Sequence, residues 1–286
     1  MTAALVFLHG RRQEFKDVEA LKRMWVKGLN AGLELSDLPS VDVNHVTMPF
    51  YGNVLYHVTA GSTGTPIRLE SPDAPAPFHP NLPKEVSDLE RELLRDQAAE
   101  AGVQLTTLEV VPESIGDRLL SWGAARRVLD GLARRTRVDQ AIITDYLRDV
   151  AVYLTLGRDQ VLRTVREAIP KEGELVLVTH SLGTAVGRDL LVDDAIRSRV
   201  RLWMTTGSPL GLDAVRKNLL SAEHPGLEWV SCYDVNDIVA LGHPLRPKWG
   251  APLTDIEVDN AQEPHSIREY LAHADVAEHI GRALTR

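Results

Sequence analysis

Apolar residues fall along this chain in short unbroken runs, each closed by turn residues and followed by a segment with apolar positions three and four apart. Continuous apolar runs predict strands buried on both faces, the mark of a parallel sheet, and the helical spacing predicts the helices that cover it. The first run is 3–8 (AALVFL) and the second 41–48 (VDVNHVTM), with a helical stretch from Val18 to Leu29 between them. Helices are predicted over 138–156 and 159–169; in the second, Val161, Leu162, Val165, Ala168 and Ile169 recur at helical spacing until Pro170 ends it. After them the rhythm is regular: strand 175–179, helix 183–196, strand 200–206, helix 211–221, strand 227–233, a short strand at 256–258 and a terminal helix from 266.

The region 57–137 breaks this rhythm. Gly, Ser and Pro are dense from Gly61 to Pro83, which predicts an irregular loop. A helix follows in PKEVSDLERELLRDQAAEAG, with Val86, Leu89, Leu93 and Leu94 on one face and Gly102 as its stop. The expectation is an α/β fold over residues 1–286, a mostly parallel central sheet flanked by helices on both faces, with 57–137 carried on it as a cap or lid.

Composition narrows the partners. Of 286 residues, 44% are hydrophobic and 25% charged, a balance that builds a sizeable core. The net charge is −8, and no stretch concentrates Lys and Arg with interleaved aromatics, which argues against a nucleic-acid partner. Arg126-Arg127 and Arg134-Arg135-Thr136-Arg137 read as a solvated helix face. The single cysteine, Cys232, excludes an internal disulfide framework and suits a reducing compartment. No apolar stretch approaches the ~20 residues that span a bilayer. MTAALVFLHG lacks a charged start and a cleavage site, so it reads as a first strand and not a signal peptide. These features together point to a cytoplasmic protein. No Cys/His/Asp cluster has metal-ligand spacing, and neither G-K-[ST] nor G-x-G-x-x-G occurs at a strand end, so no metal and no cofactor is implied.

The candidate chemistry centres on ELVLVTHSLGTAVGRDLL (174–191), where a buried strand turns into a helix within about four residues. Ser181 sits at the tip of that turn. There its hydroxyl is held clear of the backbone, and the amide of Leu182 faces the site from the first turn of a helix, where it can stabilise an oxyanion. Small neighbours, Gly183 and Ala185, suit the tight turn. A plain helix N-cap is the other meaning a serine can have here. THSLG (179–183) resembles the nucleophile elbow, G-x-S-x-G, of the α/β-hydrolase superfamily and within it the lipase- and esterase-like serine hydrolases, with Thr179 in place of the first glycine.

The resemblance implies a triad in the order Ser, Asp or Glu, His. In YDVNDIVA, Asp234 and Asp237 both qualify as the acid; Asp237 is preferred for its D-I-V context, which resembles the D-P-V at the acid of these enzymes, and Asp234 reads as a loop-shaping residue. His265 is the last loop residue before the final helix, which a capping box of Ser266 and Glu269 opens ahead of Ile267, Tyr270, Leu271 and Ala274. That is where the superfamily places its base. His273 and His279 fall inside the terminal helix, His224 precedes a proline, the turn aims His180 elsewhere, and His243 in LGHPLRP is the rival. A second oxyanion donor is implied in FLHGRRQ (7–13): the amide of Arg11 first, that of Gly10 second. TTGSPLGL (205–212) also resembles segments of these enzymes, but Ser208 beside Pro209 reads as a turn and is assigned no chemistry. The function implied is hydrolysis of a small-molecule carboxylic ester through an acyl-enzyme. An acyltransferase or thioesterase on the same fold, or a binding protein that keeps the fold without catalysis, are the alternatives.

Overall fold

Among the described residues six strands form: β1 (Ala4–Leu8), β2 (Val46–Thr47), β3 (Leu175–His180), β4 (Val200–Thr206), β5 (Trp229–Tyr233) and β6 (Leu253–Glu257), the last beginning three residues before the expected 256–258. All pair in parallel in the order β2-β1-β3-β4-β5-β6. The computed structural model describes residues 3–63, 83–103, 129, 131–134 and 140–286. Most of the Gly- and Pro-rich stretch (64–82), the basic pair Arg126-Arg127 and Arg135, Thr136 and Arg137 of the second basic cluster lie outside the described residues.

Because side chains alternate along a strand, each strand feeds two cores. Leu5, Phe7, Val176, Val178, Leu202, Met204, Val230 and Cys232 face α1 (Val18–Leu35) and the C-terminal helices. Val6, Leu8, Leu175, Leu177, Trp203 and Trp229 face the opposite layer. That layer comprises α2 (Gly52–Thr63), α3 (Lys84–Glu100), α4 (Gln140–Val152), α5 (Arg158–Ala168), α6 (Leu182–Leu190), α7 (Asp194–Arg197), α8 (Asp213–Asn218) and α9 (Arg246–Trp249), and the chain ends with α10 (Ile267–Ala272) and α11 (Ala274–Thr285) on the first face. Both faces of the parallel sheet are thus covered. Among the described residues no helix is long and apolar enough to cross a membrane.

Several boundaries differ from the pattern reading, each for a local reason. The run 41–48 shortens to a two-residue strand because Asp42 accepts a hydrogen bond from the Asn44 amide (2.9 Å) and opens a 3₁₀ turn. Helix α1 continues past Leu29 to Leu35, since Leu33 extends the buried stripe by one turn. The helix expected over 183–196 stops at Leu190, and Asp193 caps a separate turn by accepting from the Ala195 amide (3.0 Å). That over 138–156 gives way to a π-helical stretch at Tyr153–Gly157, which joins α4 to α5. The terminal helix breaks at His273.

Helix α3 carries two polar residues within its apolar stripe. Glu90 is 1% exposed and Gln97 is fully buried, beside Val86, Leu93 and Leu94. Burial pushes the Glu90 carboxyl up to about 8. A carboxyl raised above its unfolded value favours the folded state at low pH, and that advantage is lost as pH rises from the unfolded pKa near 4.3 through 8. At higher pH ionisation costs at most on the order of 5 kcal/mol. Glu90→Gln should therefore melt close to wild type at pH 4 and increasingly above it as pH rises through 8, in thermal unfolding followed by circular dichroism. A pH-independent difference between the two proteins would contradict this.

Candidate active site

β3 ends at His180, and the next residue adopts a backbone conformation rare outside glycine: Ser181 has φ 55° and ψ −130°. Such a conformation costs on the order of 1–3 kcal/mol and persists only where neighbours enforce it. Here the Ser181 amide donates to Thr206 O (3.0 Å), while the Ser181 carbonyl accepts from the Thr184 amide and hydroxyl (2.9 and 2.7 Å). Ser181 occupies the N-cap position of α6, yet its side chain caps nothing. Its Oγ lies 3.0 Å from His265 Nε2 instead.

The turn is tight because three close approaches leave room for it. A Cβ on Gly183 would stand 2.4 Å from Leu8 O, so the start of α6 presses on the end of β1. A Cβ on Gly10 would stand 2.8 Å from Ser181 Cβ, which brings the loop after β1 against the serine. The third concerns Thr179. Its hydroxyl accepts from Trp203 Nε1 (3.0 Å) and donates to Met204 O (3.1 Å), and its methyl points at Gly187, where a Cβ would stand 2.9 Å away. The facing helix supplies the space that a glycine at 179 would otherwise leave.

His265 joins the serine to a carboxylate. Its Nδ1 lies 2.8 Å from Asp237 Oδ2, and Asp237 is 2% exposed. Asp237 Oδ1 accepts from the Val239 amide (2.9 Å), which starts the 3₁₀ turn Ile238–Ala240 and fixes the carboxylate plane. Oδ2 also accepts from the Tyr270 hydroxyl (2.8 Å), which in turn accepts from the Asp234 amide (2.9 Å). With a carboxylate at Nδ1, the hydrogen-bond network assigns the ring proton to that nitrogen and leaves Nε2 free to take the serine proton. A hydroxyl so placed can lose its proton as it attacks an electrophile.

The other candidates are occupied elsewhere. Asp234 uses Oδ1 for the Asn236 amide and Oδ2 for the Asn260 amide (both 2.7 Å), clamping two loops together. His243 donates from Nδ1 to Ala240 O (2.7 Å) and meets Ser231 Oγ with Nε2 (3.2 Å); burial pushes it down to about 4. His180 turns under the site and donates from Nε2 to His265 O (3.1 Å), and its burial holds it well below the ordinary imidazole value. His224 accepts from the Gly226 amide (3.0 Å). His273 lies at the break between α10 and α11, not inside a helix, and contacts Asn260 Oδ1 (3.0 Å). Ser208 Oγ accepts from the Leu210 amide (3.1 Å) and meets Thr184 Oγ1 (2.8 Å), a turn role. The capping box is not formed. Ser266 holds the N-cap position of α10 without a side-chain bond, and Glu269 pairs with Arg268 (2.6 Å).

The loop after β1 is held by a buried histidine. His9 Nδ1 donates to Gly10 O (2.8 Å), its Nε2 accepts from the Tyr51 amide (3.2 Å), and its ring stacks on Tyr51. Burial pushes His9 down to about 4, so it is neutral near pH 7. A trans peptide points its carbonyl and N–H in opposite directions. Tying Gly10 O to the His9 ring therefore turns the Arg11 N–H to the other side of that peptide. The Arg11 side chain is drawn away to Asp149 (2.6 Å). The Leu182 amide is the first of α6, a position with no carbonyl partner inside the helix. Among the described residues no group of three or more His, Cys, Asp or Glu side chains could hold a metal ion.

Tyr270 is the site residue that pattern reading missed, because it falls on the apolar face of a helix. Removing its hydroxyl takes one donor from a buried carboxylate, worth about 1.5–3 kcal/mol for a bond to a charged group. Tyr270→Phe should lower kcat of any reaction that runs through this hydrogen-bonded row roughly tenfold or more and leave KM nearly unchanged. A proportional rise in KM with kcat intact would assign Tyr270 to binding instead. Compared with the models of known protein families, the chain matches none, and no curated protein is similar enough to it to count as a relative.

Proposed function

We propose that the protein is a serine hydrolase of small-molecule carboxylic esters, with the sheet and its helices forming an α/β-hydrolase fold. One observation carries this reading: a continuous hydrogen-bonded row from Ser181 Oγ through His265 to the buried Asp237, with Ser181 on a strained strand-to-helix turn. In the reaction Ser181 Oγ attacks the carbonyl carbon while His265 Nε2 takes its proton. Asp237 holds the ring in the correct tautomer and stabilises the imidazolium. The amides of Leu182 and Arg11, with that of Gly10 next to them, receive the oxyanion. His265 then protonates the departing alcohol, and water attacks the acyl-enzyme with the same base.

The region 57–137 serves as the cap in this reading. One contact from the described part of that region supports it: Gln97 on α3 donates to Ile238 O, next to Asp237 (3.5 Å). Helix α3 therefore touches the loop that carries the proposed acid. The deciding experiment is labelling with a fluorophosphonate, followed by peptide mass spectrometry. The expected result is one adduct, on Ser181, with hydrolysis of short 4-nitrophenyl esters that the adduct abolishes. An unlabelled Ser181 in folded protein, or ester turnover that survives full labelling, would end this reading.

A further inference from the structure

The last two side chains of β3 point to opposite faces of the sheet, because side chains alternate along a strand. Thr179 faces α6, where its methyl meets Gly187. His180 therefore faces the other layer, where its ring stands at 87° to that of Trp25 on α1 (centroids 6.0 Å apart) and is buried. The same layer carries α10 and, one residue before its N-cap Ser266, the proposed base His265. His180 Nε2 donates to His265 O (3.1 Å), and the two rings lie with centroids 4.6 Å apart, tilted by 34°.

That carbonyl has no donor in its own helix. The backbone ladder of α10 starts one residue later, with the Tyr270 amide on Ser266 O (3.0 Å), and among the described residues no backbone N–H donates to His265 O. Its donor is the His180 ring. Ser181 follows His180 directly, so one stretch of backbone carries both the proposed nucleophile and the support of its base. This stretch is itself anchored on β4, through the Ser181 amide on Thr206 O (3.0 Å). Asp237 at Nδ1 sets the angle of the His265 ring, but the distance from that ring to Ser181 Oγ depends on where the His265 backbone lies. Burial holds His180 well below the ordinary imidazole value, so its ring is neutral and puts no second positive charge beside His265 when that ring takes up a proton.

We propose that His180 is a positioning residue, which sets the distance between base and nucleophile through its Nε2–H on His265 O. The inference deepens the esterase reading, and its meaning for turnover rests on that reading. Such placement matters because a shift of about 1 Å in a reacting group can cost on the order of 10²-fold in rate.

Two substitutions of nearly equal length separate the bond from the space that the side chain fills. His180→Gln keeps an N–H at about the reach of Nε2, and His180→Met has none. His180→Met should lower kcat for a short 4-nitrophenyl ester roughly tenfold or more with KM nearly unchanged, and His180→Gln should recover most of the loss. Should His180→Met not fold, His180→Asn takes its place, since its N–H stops short of the carbonyl. Near-normal kcat without the donor, or equal losses with and without it, would overturn the proposal. So would nuclear magnetic resonance of the wild-type ring nitrogens that places the His180 proton on Nδ1. The proton on His265 Nδ1 gives a readout independent of turnover. Its resonance should keep the wild-type position in His180→Gln and move in the variant without the donor; a resonance unmoved in both would also overturn the proposal. If that resonance behaves as expected in a protein that neither hydrolyses esters nor takes a fluorophosphonate on Ser181, the hydrolase reading falls and the positioning role stands.

Discussion

Ser181→Ala and His265→Ala should each lower turnover of a short chromogenic ester by roughly 10⁴ to 10⁶, and the double variant should be little worse than either. The reason is that neither group works alone: the hydroxyl needs Nε2 at 3.0 Å to lose its proton, and the ring has no other reacting partner. Residual rate would come from the backbone amides and from binding. Steady-state kinetics on the four proteins, with circular dichroism to confirm folding, decides it. Effects of the two substitutions that multiply would mean that the two residues act independently. Normal activity in His265→Ala would require another base, and neither His180 nor His243 is free to serve, given their bonds to His265 O and Ala240 O.

Asp237→Asn should cost on the order of 10⁴ in kcat while the fold survives. The carboxylate accepts on both oxygens, from Val239 N at Oδ1 and from His265 and Tyr270 at Oδ2. An asparagine has a single acceptor oxygen. If that oxygen keeps the Val239 amide, the NH₂ faces His265 Nδ1 and forces the ring proton onto Nε2, aimed at the serine hydroxyl. The base is then in the wrong tautomer. Asp234→Asn should instead lose one of two backbone clamps, a stability cost of about 1–3 kcal/mol, with far smaller loss of rate. Near-normal rates in Asp237→Asn together with collapse in Asp234→Asn would move the acid three residues upstream.

The central strands were legible because a parallel strand covered on both faces is apolar at every position, as β3 is from Leu175 to Val178. Ser181, Asp237 and His265 were picked out as a set through the resemblance to the triad order of the α/β-hydrolases, and the structure brings the three side chains within hydrogen-bond distance. Pattern reading failed where a side chain bonds locally. Asp42 and Asp193 each cut an apolar or helical run by satisfying backbone amides, and neither effect shows in hydrophobic spacing. It failed again where burial comes from another element. Glu90 and Gln97 lie at helical spacing from Val86 and Leu93, on the stripe that α4 covers, yet their residue types argue for solvent. Tyr270 shows the converse: a residue counted as core because of its ring acts through its hydroxyl.

The fit of Thr179 against Gly187 restricts which sequences this chain can reach by single changes. Alanine at 187 meets the Thr179 methyl at 2.9 Å, so the helix cannot gain a side chain while the threonine stays. Glycine at 179 removes the methyl but also the hydroxyl that holds Trp203 and Met204 O, leaving a buried indole N–H without its acceptor. Each step alone is harmful, and the second relieves the steric part of the first. The two positions are thus epistatic, and a double-mutant cycle between them should show a coupling energy well away from zero. A chain that carries Thr179 is held to Gly187, and its descendants can exchange the pair for glycine and a larger residue only by passing through a less stable intermediate.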